Sequence, residues 1–190
     1  MTGDTALPTA SDVWRRLLRG VADRHSPFRT PALATTTPDG EPAVRTVVLR
    51  GADLERRTLQ FHTDARSPKA RDVSHEARVA WLFYDRKAAI QVRASGVTTL
   101  AGEGPDVEAA WERTTSSGRR TYATAHGPGS PRGHSSEPDL DPDDPRIRSV
   151  FRLGTTVVDR IDWLWLHHAG HQRALLKWTG GRWRAAWSTP

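Results

Sequence analysis

The sequence predicts a mainly β protein in which an antiparallel barrel carries added helices. Three observations support this fold class. Many short segments rich in β-branched residues follow one another closely, turn residues separate several of them, and helical segments are inserted instead of alternating with strands. We expect a single domain over residues 1–190, because this length supports one hydrophobic core.

Hydrophobic spacing predicts three helices, and a further short one around residues 119–125. The first covers residues 11–22, where apolar side chains recur at helical spacing behind a Ser or Thr cap. The second begins after Ser67, with Pro68 at the first helical position, and ends near His75. The third covers residues 105–113.

The strand prediction starts with a hairpin. Residues 32–37 and 43–50 flank Pro38-Asp39-Gly40, which is typical of a tight turn. Further strands are predicted at 59–63, 78–84, 89–100, 150–153, 157–166, 172–178 and 183–188, and Gly180-Gly181 joins the last two.

Residues 126–146 form a composition break rich in Gly, Pro and Asp, which cannot bury a core. We expect a flexible surface loop or a lid. Its carboxylates are expected to be solvated and not to bind calcium, because Pro142 and Pro145 interrupt the ligand spacing of a calcium loop.

Composition excludes several functions. The chain has no cysteine, so disulfides, thiolate catalysis and iron–sulfur clusters are excluded, and redox chemistry requires a bound cofactor. No apolar run reaches the length of a membrane span, and no export signal is visible, so we expect a cytoplasmic protein. The net charge is +6, and 25 of the 28 basic residues are Arg, which favours anionic partners or reflects a solvated basic surface.

Two segments suggest an anion site. Arg45 lies in the middle of a predicted strand, where a guanidinium needs a partner or an open face. Arg66-Ser67-Pro68-Lys69 opens a helix, whose free N–H groups add to nearby cations. The alternative is a capped helix with exposed Arg66 and Lys69.

Five motifs occur in one order: Arg45-x-Val-x-Leu-Arg50, a strand ending Phe61-His62-Thr63, Ser67-x-Lys69, Ala77-Arg78-Val79-Ala80-x-x-Phe83 and Gln91-Val92-Arg93-x-x-Gly96. This order resembles the pyridoxamine 5'-phosphate oxidase family. The resemblance implies an FMN-binding split β-barrel, and a homodimer with the flavin at the subunit interface. It covers residues 31–96 and resumes weakly at the C-terminus, through Asp162-Trp163, His171-Gln172-Arg173, Trp183 and Pro190.

The resemblance also implies residue roles. Arg45 and Lys69 would hold the FMN phosphate, and Arg50 and His171 would bind substrate. Trp163 or Trp165, with Arg173, would come from the second subunit; the alternative for them is barrel packing and a surface charge. The implied FMN-binding set is Arg45, Thr46, Val47, Val48, Leu49, His62, Thr63, Ser67, Lys69, Gln91, Trp163 and Arg173.

Three positions depart from the family pattern. Pro68 stands where the oxidases have an Arg, Arg50 where they usually have a substrate-facing Lys, and Ala169 where they have an Arg. The sequence therefore resembles the shorter, oxidase-like branch of the superfamily. For His167, His168 and His171 three readings remain: surface or turn residues, a flavin-site or substrate role for His171, or a metal site, which Gly170 disfavours.

The expected function is hydride transfer from a small, anionic substrate to FMN, followed by reoxidation by oxygen or another acceptor. No side chain is assigned as a strong base, and no metal is expected. The alternatives are a reductase that uses NAD(P)H or a deazaflavin, and a non-catalytic flavin-binding protein. Nucleic acid is not an expected partner, because no helix-turn-helix or aromatic RNA-binding signature accompanies the charge.

Overall fold

The computed structural model describes residues 6–124, 126–130, 140–141 and 144–190. Part of the predicted loop, residues 131–139 and 142–143, lies outside these. None of the helices in the described ranges is long and apolar enough to cross a membrane.

The helices follow the local signals. In α1, Thr9 and Asp12 form a capping box, and Val13, Trp14 and Leu17 are buried on one face. The side chain of Ser67 caps α2 by accepting a hydrogen bond from the N–H of Ala70. The helices are Ala10–Ala22 (α1), Pro68–His75 (α2), Pro105–Glu112 (α3), Ser116–Arg119 (α4) and Pro145–Val150 (α5), with a 3₁₀ turn at Arg120–Tyr122.

The mainly β prediction is confirmed, and every strand pairing in the described residues is antiparallel. The strand order is β2-β1-β5-β6-β7-β4-β3, with β8 on β7 and β9 on β8, so the sheet does not close. The strands are Ala32–Thr36 (β1), Pro42–Thr46 (β2), Gly51–Asp53 (β3), Thr58–Asp64 (β4), Arg78–Asp85 (β5), Ile90–Ala101 (β6), Phe151–Trp165 (β7), Gln172–Thr179 (β8) and Arg182–Ser188 (β9).

The predicted strand at 43–50 is wrong in its second half. After Thr46 the chain stays extended but changes partners, since the N–H groups of Val47 and Leu49 donate to the carbonyls of Pro31 and Arg29. The N–H of Arg50 then donates to the carbonyl of Gln60 on β4. Residues 47–50 therefore cross from one end of the open sheet to the other.

The two strands predicted at 150–153 and 157–166 are one strand, β7. Gly154 does not interrupt it, because Gly154 pairs with Phe61 of β4 in a continuous register. The ring of Phe61 occupies the space that a side chain at this position would need. The predicted short helix at 119–125 begins earlier, as α4, and ends at Tyr122. The predicted loop also ends earlier, because Pro145 opens α5 behind the capping carboxylate of Asp144.

Two apolar clusters hold the fold. The larger lies inside the curved sheet and under α1, around Trp14, Phe61 and Trp81. The smaller lies outside β4 and β7, where α3, the 3₁₀ turn and α5 surround the ring of Phe151. Helix α2 contacts β1, β4 and β6 through a buried face that includes Ala70 and Val73, and these contacts position its N-terminus.

Candidate functional site

A set of hydrogen-bond donors converges at the start of α2. The Nζ atom of Lys69 donates to Oγ1 of Thr63 at 3.1 Å, and the hydroxyls of Thr63 and Ser67 are 3.0 Å apart. Thr63 and Ser67 are buried, whereas Lys69 is half-buried. This cluster places an ammonium, two hydroxyls and a helix N-terminus together, the chemistry that binds a phosphate.

Arg45 is held beside this cluster by α2 itself. Its Nη2 atom lies 3.1 Å from Oδ2 of Asp72, and its Nη1 atom donates to Oγ1 of Thr35 at 2.5 Å. The Thr35 hydroxyl in turn donates to Asp72 at 2.6 Å. Asp72 is only 3% exposed, so this network orients the guanidinium from a buried carboxylate.

Lys69 and Arg45 are close enough to influence each other. Burial, together with the positive charge of Arg45, lowers the pKa of Lys69, and the negative charge of Asp64 offsets only part of this effect. No carboxylate in the described residues forms an ion pair with Lys69. We call Arg45, Thr63, Ser67 and Lys69 the anion cradle; the structure brings these four predicted residues together.

Arg66 does not contribute to the cradle. Its guanidinium binds the buried carboxylate of Asp64 at 2.7 Å and donates to the carbonyls of Tyr122 and Thr124. These contacts fasten the segment after α4 to the start of α2. The guanidinium of Arg66 therefore joins these two segments of the fold.

A second polar group lies on the opposite face of β4. His62 packs against Phe151 with ring centroids 4.9 Å apart, and its buried Nδ1 atom has no hydrogen-bond partner in the described residues. Burial and the positive charges of Arg50 and Arg113 lower the pKa of His62 to about 4. His62 is therefore neutral near pH 7 and faces two guanidiniums.

Tyr122 belongs to the same group. Burial raises the pKa of Tyr122 to about 12, and Arg50 acts in the opposite direction. Burial, together with the positive charge of Arg29, lowers the pKa of Arg50. Arg50, His62, Arg113 and Tyr122 form the group that we call the arginine pocket. Sequence reasoning missed Arg113 and Tyr122, because they lie in the segment between β6 and β7 and only tertiary packing brings them near His62 and Arg50.

Gln91 and Arg173 lie away from the cradle. In β6, Ile90 and Val92 face the core, so Gln91 faces outward, and β8 places Arg173 on the same outer side through its pairing with Leu164. Arg173 binds Asp162 at 2.7 Å, and Arg93 binds the same carboxylate from β6. Burial would raise the pKa of Asp162, but the hydrogen bonds from Arg173 and Arg93 outweigh it and lower this pKa.

The remaining predicted residues differ in burial and in the side chains that they contact. Val47 and Leu49 are buried, whereas Thr46 is exposed and Val48 is half-buried. Trp163 faces the core between Val92 and Ala174, and His171 is exposed in the turn before β8. Trp165 stacks near His167 with ring centroids 4.4 Å apart. Within the described ranges, no three potential metal-ligating side chains converge.

Comparisons with known proteins agree with this architecture. The family model described as "Pyridoxamine 5'-phosphate oxidase, FMN-binding domain" matches residues 11–102. A pyridoxamine 5'-phosphate oxidase-related, FMN-binding protein from Nostoc punctiforme has 25% sequence identity and a TM-score of 0.79, over 98% of this chain and 100% of that chain. Residues 11–102 are therefore similar to the FMN-binding domain of the pyridoxamine 5'-phosphate oxidase family, and the fold resembles that of a related FMN-binding protein.

Curated members of this family match over part of their length. The pyridoxine/pyridoxamine 5'-phosphate oxidase of Rubrobacter xylanophilus is 42% identical over 71 residues, which are 37% of this chain and 32% of that protein. PhzG from Burkholderia lata, solved with tetrahydrophenazine-1-carboxylic acid, shares the fold with a TM-score of 0.73 at 19% identity, over 98% of each chain. The first match thus spans about a third of the length of the curated oxidase.

Proposed function

We propose that this chain binds FMN and acts as an oxidoreductase on a small anionic substrate. The observation that carries the proposal is the anion cradle, where Lys69 and Arg45 converge on two hydroxyls at the start of α2. A phosphate monoester is a dianion near neutral pH and needs fixed donors with positive charge. The FMN phosphate is such a group.

The donors of the cradle fit this anion. The Lys69 ammonium has three N–H donors, and one of them faces Thr63. Arg45 has five donors, and Asp72, Thr35 and the carbonyl of Leu33 engage part of its guanidinium. Because Asp72 neutralises Arg45 in part, Lys69 supplies the uncompensated positive charge.

The arginine pocket supports an anionic substrate. Arg50 follows directly on residues 46–49, which the family resemblance assigns to the flavin ring, and Arg50 and Arg113 both place positive charge near His62. The neutral His62 offers a hydrogen-bond acceptor or donor there without adding charge. When bound, FMN would accept a hydride from the substrate and pass two electrons to dioxygen or another acceptor.

The substrate is proposed to differ from that of the vitamin B6 oxidases. Pro68, Arg50 and Ala169 stand at positions where these oxidases carry Arg, Lys and Arg. Arg66, the nearest replacement for the displaced Arg, is engaged by Asp64. We therefore propose that the chain is related to the oxidase-like branch of the family.

We also propose a homodimer that completes the flavin site. The outer sheet face carries Arg173, which the resemblance assigns to the partner's flavin, and Gln91, together with exposed apolar side chains such as Val44 and Leu82. Leu82→Arg should yield a monomer, which light scattering measures. The same variant should bind FMN more weakly, which a fluorescence titration measures. Leu18→Arg, which charges an equally exposed position on α1, should remain dimeric. A dimer in both variants would contradict this arrangement.

The first test is the visible spectrum of the purified protein after reconstitution with FMN. We expect a flavin spectrum, tight FMN binding in the unaltered protein, and much weaker binding in Arg45→Ala. Unchanged FMN affinity in Arg45→Ala would refute the proposed phosphate site. Rapid mixing of the FMN-loaded protein with NADPH then separates the reductase from the oxidase, since an oxidase of small anions should not be reduced by NADPH.

A further inference from the structure

A second cationic site lies between α1 and the turn that joins β5 to β6. The groove has a volume of about 1110 Å³ and is open to solvent on one side. One wall is the face of α1 that carries Arg15, Arg16 and Arg19, and the opposite wall is the turn with Arg86 and Lys87. The groove shares no residue with the anion cradle or the arginine pocket.

The charges of this groove are not balanced. Five cationic side chains line it, and the carboxylates in its lining are Asp12 and Asp85. Asp12 lies 3.3 Å from Arg15, and Asp85 lies 3.5 Å from Arg16. Across the described chain, Arg86 and Lys87 form no ion pair, so both positive charges remain available to a ligand.

The turn that carries these two cations has a defined shape. The carboxylate of Asp85 accepts a hydrogen bond from the N–H of Ala88 at 3.0 Å, and Ala89 adopts a left-handed conformation with φ 53°. Asp85 also binds Arg16 across the groove. Arg86 and Lys87 therefore project from a turn that is tied to α1, and the distance between the two walls is set by the fold.

The floor of the groove is apolar. Phe28, Ile90 and Trp163 line it, and each is less than a tenth exposed because it also belongs to the main core. Ligand sites for small molecules typically measure about 300–1,000 Å³ and combine apolar walls with a few charged groups. This open groove is therefore large enough for a molecule with a planar ring and more than one phosphate.

We propose that this groove binds a phosphorylated organic anion of nucleotide size. Its phosphates would contact the guanidiniums of α1 and the two free cations of the turn, since arginine forks match phosphate oxygens in a bidentate manner. Its ring would lie toward Ile90 and Trp163. The proposal is independent of the anion cradle and the arginine pocket, because it uses none of their residues and no redox step; it shares only Trp163 with the implied FMN-binding set.

The test uses the full-length purified protein, with ADP and inorganic pyrophosphate as probes in calorimetric titrations at about 150 mM salt, where diffuse attraction is largely screened. The variant is Arg86→Gln/Lys87→Gln. The matched control is Lys177→Gln/Arg182→Gln, which removes the same charges from exposed positions of the β8–β9 hairpin. We expect saturable binding of both probes, tighter for ADP, because the apolar floor contributes only to ADP.

The turn variant should weaken the binding of both probes about tenfold or more, as expected for the loss of charge-assisted contacts, and the control should bind as the unaltered protein does. FMN content should stay the same in both variants. Absence of saturable binding, or equal weakening in variant and control, would overturn the proposal. Loss of FMN in the turn variant alone would also overturn it, because the groove would then belong to the flavin site.

Discussion

Lys69→Gln tests the anion cradle most directly, because Lys69 supplies positive charge without an ion-pair partner among the described residues. Replacing Lys69 by Gln should leave the fold intact, since a glutamine side chain can still reach Thr63. Burial lowers the pKa of Lys69, so the ammonium charge is costly in the folded protein and its loss should not destabilise the fold. We expect the free energy of unfolding of the apoprotein to change by less than about 1 kcal/mol.

The same change should weaken FMN binding strongly. A hydrogen bond to a charged group contributes about 1.5–3 kcal/mol, which corresponds to a loss of about 10- to 100-fold in affinity. Riboflavin lacks the phosphate, so its affinity should not change. Fluorescence titration with both flavins measures the two constants in one preparation.

Lys177→Gln serves as the control, because Lys177 is exposed on β8. It should bind both flavins as the unaltered protein does. Two results would show that Lys69 does not contact the phosphate. One is an FMN affinity of Lys69→Gln within about twofold of that of the unaltered protein, and the other is a loss of riboflavin affinity as large as the loss of FMN affinity.

Three further predictions concern stability. Arg66→Ala leaves the buried carboxylate of Asp64 without its partner and should cost about 3 kcal/mol in urea unfolding. Folding lowers the pKa of His62 from 6.5 to about 4. Between these two pH values the unfolded chain binds a proton at His62 and the folded protein does not, so the free energy of unfolding should fall as the pH falls from 6.5 to about 4. His62→Phe should flatten this pH dependence. Gly96→Ala places a methyl group against the carbonyl of Val157, and should lower the melting temperature by several degrees, because the obstacle is backbone.

Each of these has a matched control. Arg56→Ala removes a guanidinium that is 75% exposed and 4.0 Å from its carboxylate, and should cost less than about 0.5 kcal/mol. His75→Phe changes an exposed histidine and should leave the pH dependence as it is. In Gly102→Ala the added methyl group meets only the flexible end of the Arg152 side chain, so this variant should keep its melting temperature. A control that behaves like its partner variant would contradict the structural reason given.

Local signals predicted most of the elements. The apolar spacing of α1 and the Ser67-Pro68 start of α2 depend on residues within one or two turns, so short-range patterns are sufficient to locate them. The strand alternation of β6 likewise separates Val92 in the core from Gln91 on the outer face. The exchange of partners at residues 47–50 has no such local signal, because an extended chain looks the same whichever strand it pairs with.

The sequence alone therefore determined the mainly β class, the starts of α1, α2 and α3 to within a residue, and the candidate pair Arg45 and Lys69. It also contained the order of motifs that resembles the pyridoxamine 5'-phosphate oxidase family. These properties depend on residue types and on spacings of a few positions.

Only the tertiary structure decided what each cation faces. Arg45 is engaged by Asp72, which lies 27 positions away, and Arg66 reaches carbonyls 56 and 58 positions away. Lys69 donates to the hydroxyl of Thr63 and forms no ion pair with a carboxylate among the described residues. Hydrogen bonds and ion pairs act over a few ångströms of space whatever the distance along the chain, so folding decides which charges are neutralised and which remain free for a ligand.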